Sequence, residues 1–169
     1  MFAYIYCMKR IVTCIILWCL VLSWMGSIFY FSHQTAAQSS EISTDIATKL
    51  YENVDLTPKK FEDKKEYWLI DHYEIFLRKA AHFSQYLILA ILLSAALKLH
   101  IKSICKVSVL SFIVGTLYAI SDEIHQHFIP GRTARMIDVI IDLSGVAIGC
   151  LFVWLTVKLI NKIKKNKSE

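Results

Sequence analysis

The sequence predicts an all-α, polytopic membrane protein: a four-transmembrane-helix bundle with a long extracytoplasmic insertion between its first and second helices. Three observations carry the prediction. Of 169 residues, 56% are hydrophobic and only 20% charged, which excludes a disordered chain or a basic nucleic-acid-binding arm. The apolar residues fall in long unbroken runs instead of the short alternating stretches of a soluble core. The basic excess is confined to alternate segments between those runs.

Four runs lack Asp, Glu, Lys and Arg: residues 11–31, 80–97, 107–121 and 143–157. The first, 21 residues long, crosses about 30 Å of hydrocarbon unaided. Lys9 and Arg10 precede it and Thr35-Ala36-Ala37 resembles a leader-peptide cleavage site. The run nevertheless exceeds the apolar core of a secretory signal, about 7 to 15 residues, so a retained helix is expected. The last two runs reach membrane length only by taking carboxylates into the helix, through Asp122 and Glu123 towards Phe128, and from near Ile137. The four crossings are placed at about 11–31, 79–98, 106–127 and 137–157 within a single domain of residues 1–169, leaving a segment 32–78 and a basic tail 158–169.

Charge sets the expected orientation. Residues before the first helix, between the second and third, and after the fourth carry +2, +3 and +4, whereas 32–79 and 122–142 each carry −2. Short Lys- and Arg-rich segments stay in the cytoplasm, so both termini are expected inside and the two acidic segments outside. The basic residues would then face anionic lipid, and no nucleic-acid partner is expected. Cys7, Cys14, Cys19, Cys105 and Cys150 all fall in helices or inner segments, so free thiols are expected rather than disulfides.

In the outer segment, Ile42, Ile46 and Leu50 recur every four residues, predicting a short amphipathic helix over 43–51 whose apolar side is covered by lipid or by the bundle. Thr57-Pro58 has the form of a second helix start. Residues 63–73, with Tyr67, Trp68 and Tyr73, lead into the second crossing with the aromatics of a membrane interface.

Polar residues gather at the helix ends that this orientation puts outside. Arg78, His82 and Gln85 share one face of the second helix, and Lys79, His82 and Tyr86 an overlapping one. Lipid is a costly surrounding for that face, which should point into the bundle. The third helix ends in Ser121-Asp122-Glu123-Ile124-His125-Gln126-His127, and Pro130-Gly131 then supplies a tight reversal before Arg132 and Arg135. Asp138 and Asp142 enter the fourth helix in line with Gly145 and Gly149, whose small size lets another helix approach closely.

Arg78, Lys79, Arg132 and Arg135 match Asp122, Glu123, Asp138 and Asp142, four cations for four anions. A matched set tolerates burial and suits a purely structural, charge-paired bundle. It has no need of three imidazoles, His82, His125 and His127, or of the amides Gln85 and Gln126. Those groups suit ligand recognition or proton transfer. His33 and Gln34 add candidates at the end of the first helix, where the plainer reading is that Ser32 and Gln34 satisfy its last carbonyls.

These residues resemble the VanZ-like family of small bacterial membrane proteins. The likeness is carried by Ser32-His33-Gln34, Arg78-Lys79 with His82 and Tyr86, Ser121-Asp122-Glu123-Ile124-His125-Gln126, Pro130-Gly131-Arg132, Asp138-Val139 and Gly145, in family order over about residues 11–157. The resemblance implies the bacterial cell membrane and an envelope role. The family's founding member is associated with low-level resistance to the glycopeptide teicoplanin, while no reaction is settled for the family. Asp142 departs from the pattern, in which an asparagine is expected, and adds a negative charge.

The leading expectation is an outward-facing polar pocket that binds a membrane lipid or lipid-linked cell-wall component. Arg78, Arg132 and Arg135 would meet its phosphate or carboxylate oxygens. Lys79, His82, Gln85, Tyr86, Asp122, Glu123, His125, Gln126, Asp138, Asp142, His33 and Gln34 would complete the site. An alternative of a different class is a membrane enzyme on a lipid-linked substrate, with Glu123 or His125 as general base and His82 as acid. Neither a nucleophile elbow nor a phosphate loop supports it. A small transporter would need an oligomer to supply more helices. No cofactor and no metal ion are expected, because metal-ligand spacing of the His-Glu-x-x-His type does not occur.

Overall fold

The computed structural model describes residues 2–53, 63–133 and 135–167. They form five helices: α1 (Phe2–Ser32), α2 (Ala36–Asn53), α3 (Asp63–Lys98), α4 (Ile104–His127) and α5 (Met136–Asn166), with no strand among the described residues. Four stretches are long and apolar enough to cross a membrane, Ile5–Ser32, Asp71–Lys98, Ile104–His127 and Met136–Asn166. The all-helical, four-span architecture of a multi-pass membrane protein is therefore the one observed.

The helices overrun their apolar stretches. A helix keeps its backbone hydrogen bonds through polar residues until proline, glycine or a cap ends it. Hence α3 runs unbroken from Asp63 through the aromatic lead-in, α5 continues through most of the basic tail, and α2 extends to 18 residues around the expected 43–51. Thr57-Pro58 lies outside the described residues.

Contact registers give the helix directions. Lys79 pairs with Asp138 and His82 faces Asp142, so α3 and α5 run parallel. Ser32 meets Asp122 while Met25 meets Tyr118, so α1 and α4 run parallel to each other. Trp24 meets Gln85 and Trp18 meets His100, which sets α1 against α3 in the opposite sense. Ser40 reaches Arg78 and Thr44 reaches Glu74, so α2 folds back along the entrance of α3.

The core is built on α3, where Tyr86, Leu89, Ala90 and Leu93 are buried against Val21 and Ile28 of α1, Ala119 of α4 and Val146 and Cys150 of α5. The closest approach is between α3 and α5, at the predicted glycines. A methyl group at Gly145 would lie 2.4 Å from the Phe83 carbonyl oxygen, and one at Gly149 2.6 Å from that of Leu87. Deeper in the bundle Ser94 Oγ donates to Ser111 Oγ at 3.0 Å, and Tyr118 OH donates to the Met25 carbonyl at 2.6 Å. At the far, basic end Arg10 Nη2 donates to the Leu99 carbonyl at 2.8 Å. Large apolar side chains such as Leu22, Phe152 and Leu155 stand half-exposed around the bundle, as a lipid-facing surface requires. All five cysteines are free.

Of the two covers expected for the apolar side of α2, lipid or the bundle, the bundle core is not the one it takes. The buried face of the helix is not the Ile42–Ile46–Leu50 stripe, which stays half-exposed, but Ser43 and Ala47. The reason is chemical. Ser40, Ser43 and Thr44 all donate hydroxyl hydrogen bonds to the Glu74 carboxylate, which turns the small polar side of α2 onto α3.

Candidate functional site

The polar ends of α1, α3, α4 and α5 meet at one end of the bundle. There a cavity of about 550 Å³ opens between the end of α1, α2 and α3. Arg78, His82, Gln85 and Arg132 lie on its polar wall. Ile42 and Ile46 of α2 line it together with Leu77, so two residues of the apolar stripe that misses the core border this cavity instead. Its volume falls within the range of about 300–1,000 Å³ typical of small-molecule sites.

The three ionisable side chains on the lining are all basic, and none of the four expected carboxylates reaches it. Three of those carboxylates, Asp122, Glu123 and Asp142, are buried away from the lining. Asp122 is buried on α4, where its Oδ2 accepts from Ser32 Oγ at 2.7 Å and from Gln126 Nε2 at 3.0 Å. Gln126 is thereby oriented so that its Oε1 accepts from Arg132 Nη1 at 3.0 Å, and Arg132 Nη2 donates to the Phe31 carbonyl at 3.3 Å. Arg132 is thus positioned by neutral acceptors, with no carboxylate against it. Burial pushes its guanidinium down from the ordinary value, and the nearby Arg78 pushes the same way. An anion placed against it would relieve both effects.

The turn that presents Arg132 depends on Gly131, whose φ of 77° lies in the left-handed region and whose added methyl would sit 3.1 Å from the Ala36 side chain. Gly131→Ala is expected to cost about 1–2 kcal/mol, readable as a lower thermal midpoint in detergent.

Along the α3–α5 contact, Lys79 Nζ and Asp138 form an ion pair. One turn deeper, His82 Nδ1 lies 3.4 Å from Asp142 Oδ1, near enough to pair but not aligned as a hydrogen bond. Glu123 is held by the backbone N–H of Arg135, which donates to Oε1 at 2.6 Å, and its Oε2 is buried without a partner. Nine buried side-chain polar atoms lack a hydrogen-bond partner among the described residues. Seven belong to Arg78, His82, Tyr86, Asp122, Glu123 and Asp142, and only two, on Ser108 and Thr116, lie elsewhere. Unsatisfied polar groups of this kind are rare and concentrate where a fold serves something besides its own stability.

Several placements differ from the sequence reading. The matched set of four cations and four anions does not close, because only Lys79 finds one of those acids. Arg78 is taken by Glu74, four residues earlier on its own helix. Arg135 contributes its backbone while its side chain is exposed. The three imidazoles do not converge either. His82 enters the site, His127 is exposed beside Phe128, and His125 turns to α1. There His125 Nε2 lies 3.3 Å from His33 Nδ1, with Phe29 stacked on the His125 ring at 4.5 Å. Spacing on α4 fixed a face for His125 but not which helix it would meet. Ser32 does not cap α1 with its side chain, which goes to Asp122, while Gln34 lies on the cavity lining.

Ser32, Ser40, Thr44 and Glu74 were missed as site-building residues. Glu74 at four residues before Arg78 was the available signal. Glu74→Ala should free α2 from α3, and amide exchange over 36–53 should accelerate by about tenfold or more, the equivalent of losing one or more charged hydrogen bonds.

Among the described residues no group of three or more His, Cys, Asp or Glu side chains is arranged to hold a metal ion. A family model described as VanZ/LLP1 matches residues 17–158. No curated protein and no solved structure matches the chain significantly.

Proposed function

Since the chain belongs to the VanZ/LLP1 family, with most of its length matched, we propose that it is an envelope membrane protein that holds the anionic head of an amphipathic lipid, or of a lipid-linked cell-wall component, in the cavity between α1, α2 and α3. The carrying observation is the segregation of charge. Arg78, His82 and Arg132 line the cavity, while Asp122, Glu123 and Asp142 are buried and take no part in the lining. Guanidinium groups suit phosphate and carboxylate oxygens, and Arg132 is the basic group on the wall that no acid already occupies. Ile42, Ile46 and Leu77 then offer the first apolar contacts to the acyl or prenyl part of the same molecule. In this reading the protein sits in the bacterial cell membrane with the basic end, Lys9, Arg10, Lys98, Lys102 and the lysines of α5, in the cytoplasm. The cavity faces outward. A contribution to teicoplanin tolerance would follow where the held component belongs to the wall-building machinery that the drug obstructs.

Lipid retained by the purified protein, identified by native mass spectrometry, tests the reading. Enrichment of anionic species over zwitterionic ones of the same chain length is expected. Retention proportional to the bulk lipid composition would refute it.

The enzymatic alternative draws on one observation, the buried unpaired Glu123 Oε2 near the His82–Asp142 pair. His125, directed towards His33, is not placed to share that task. The charge-paired structural bundle fits less well, because Asp122, Glu123 and Asp142 have no Lys or Arg side chain against them among the described residues.

A further inference from the structure

Of the three basic residues on the cavity wall, His82 alone carries an optional charge. Guanidinium stays protonated, whereas imidazole titrates near neutrality. Its Nδ1 is buried and faces Asp142, whose side chain is 1% exposed and whose two oxygens have no aligned donor. The residue also belongs to the cavity lining. His82 is therefore the ionisable group of the lining that also lies against a buried acid.

Every packed element contributes charge around it. From α5 come Asp138, already matched by Lys79, and Asp142; from α4 come Asp122 and Glu123. From α3 itself come Arg78, held by Glu74, and Tyr86 one turn on; the α4–α5 turn brings Arg132, and α1 brings the uncharged Ser32. Three of these acids, Asp122, Glu123 and Asp142, lack a Lys or Arg side chain against them among the described residues. An anion at zero exposure is costly unless a cation lies beside it, and at Asp142 the available cation is the imidazolium of His82.

We propose that His82 and Asp142 form a proton-dependent half of the headgroup site: the buried carboxylate holds the imidazolium, which presents a second cation beside Arg132 to an anionic lipid head. The inference rests on the lipid-binding reading of the cavity and adds its regulation. A ligand that prefers the protonated site takes up a proton on binding wherever the free site has lost it, so affinity is full at low pH and falls as pH rises, by at most about tenfold per pH unit. A phosphodiester head keeps its charge across that range and cannot itself supply the dependence.

The test compares phosphatidylglycerol with phosphatidylcholine of identical chains as competitors for the full-length protein in detergent micelles, read by native mass spectrometry between about pH 5.5 and about pH 8.5, the span over which imidazole changes charge. The wild type should lose phosphatidylglycerol affinity by about tenfold across the range, with phosphatidylcholine unaffected. His82→Gln should bind weakly at every pH, His82→Arg strongly at every pH, and Asp142→Asn should weaken binding at neutral pH to the His82→Gln level. The charge-retaining His82→Arg variant separates loss of charge from loss of fold. A wild-type preference that ignores pH, or a pH dependence surviving in His82→Gln, overturns the proposal while leaving the cavity reading in place. A wild type with no phosphatidylglycerol preference at any pH, or a preference that survives Arg132→Ala, overturns the cavity reading and this proposal with it.

Discussion

Arg132→Ala should weaken binding of an anionic lipid about 10- to 100-fold, as measured by competition against the zwitterionic lipid of the same chains. The magnitude follows from about 1.5–3 kcal/mol for hydrogen bonds to a charged group. Among the cations on the cavity wall, this change should be the largest. Arg78 already neutralises Glu74, and His82 faces Asp142. Arg132 is held in place by the Gln126 amide and the Phe31 carbonyl, which orient the guanidinium without neutralising it. Arg132→Lys should recover only part of the loss, since an ammonium cannot span both acceptors and still present two donors to an anion. Measuring the thermal midpoint of each variant separates headgroup binding from the tie between α1 and the α4–α5 turn.

The largest effect on the fold is expected at Gly145. Its added methyl would press to 2.4 Å on the Phe83 carbonyl oxygen, which is backbone and cannot rotate aside. The α3–α5 pair must separate, and Gly145→Ala should cost about 1–3 kcal/mol, with Gly145→Val lost from the monodisperse fraction altogether. Gly26→Ala is the internal control. Nothing lies within 4 Å of a methyl group there, and the change should be neutral or stabilise α1 by about 0.5–1 kcal/mol through backbone entropy. Equal behaviour of the two alanine variants in a thermal scan would mean that the close contact is not what holds α5 to α3. Separation of the helices should also disturb the Lys79–Asp138 pair and the approach of His82 to Asp142, so lipid binding should fall together with stability in Gly145→Ala.

The crossings were legible in the sequence because hydrocarbon admits few charges, and the runs 11–31, 80–97, 107–121 and 143–157 fall within the four spans. The glycine contact was legible for a similar reason. Gly145 and Gly149 lie in line with Asp138 and Asp142, and small residues beside buried acids mark a helix that approaches another closely. The partners of the charges were not legible. Spacing assigns a residue to a face but does not say which helix covers that face, so Arg78 was matched to distant acids when Glu74 stood one turn away. His125 and His82 were grouped by their shared chemistry, although α1 intercepts the former through His33 and Phe29. The packing of α2 was hidden because its decisive contacts are hydroxyls on a carboxylate, for which amphipathic periodicity has no signal.

The parallel run of α3 and α5 has a consequence for biogenesis. Two helices that enter the bilayer from the same side need a return passage between them, and α4 makes it. α3 precedes α5 in the chain, so a chain that has reached only α4 has Lys79 and His82 without Asp138 and Asp142. A chain truncated before α5 would leave this ionic face without its acids, a costly surface to hold in the bilayer.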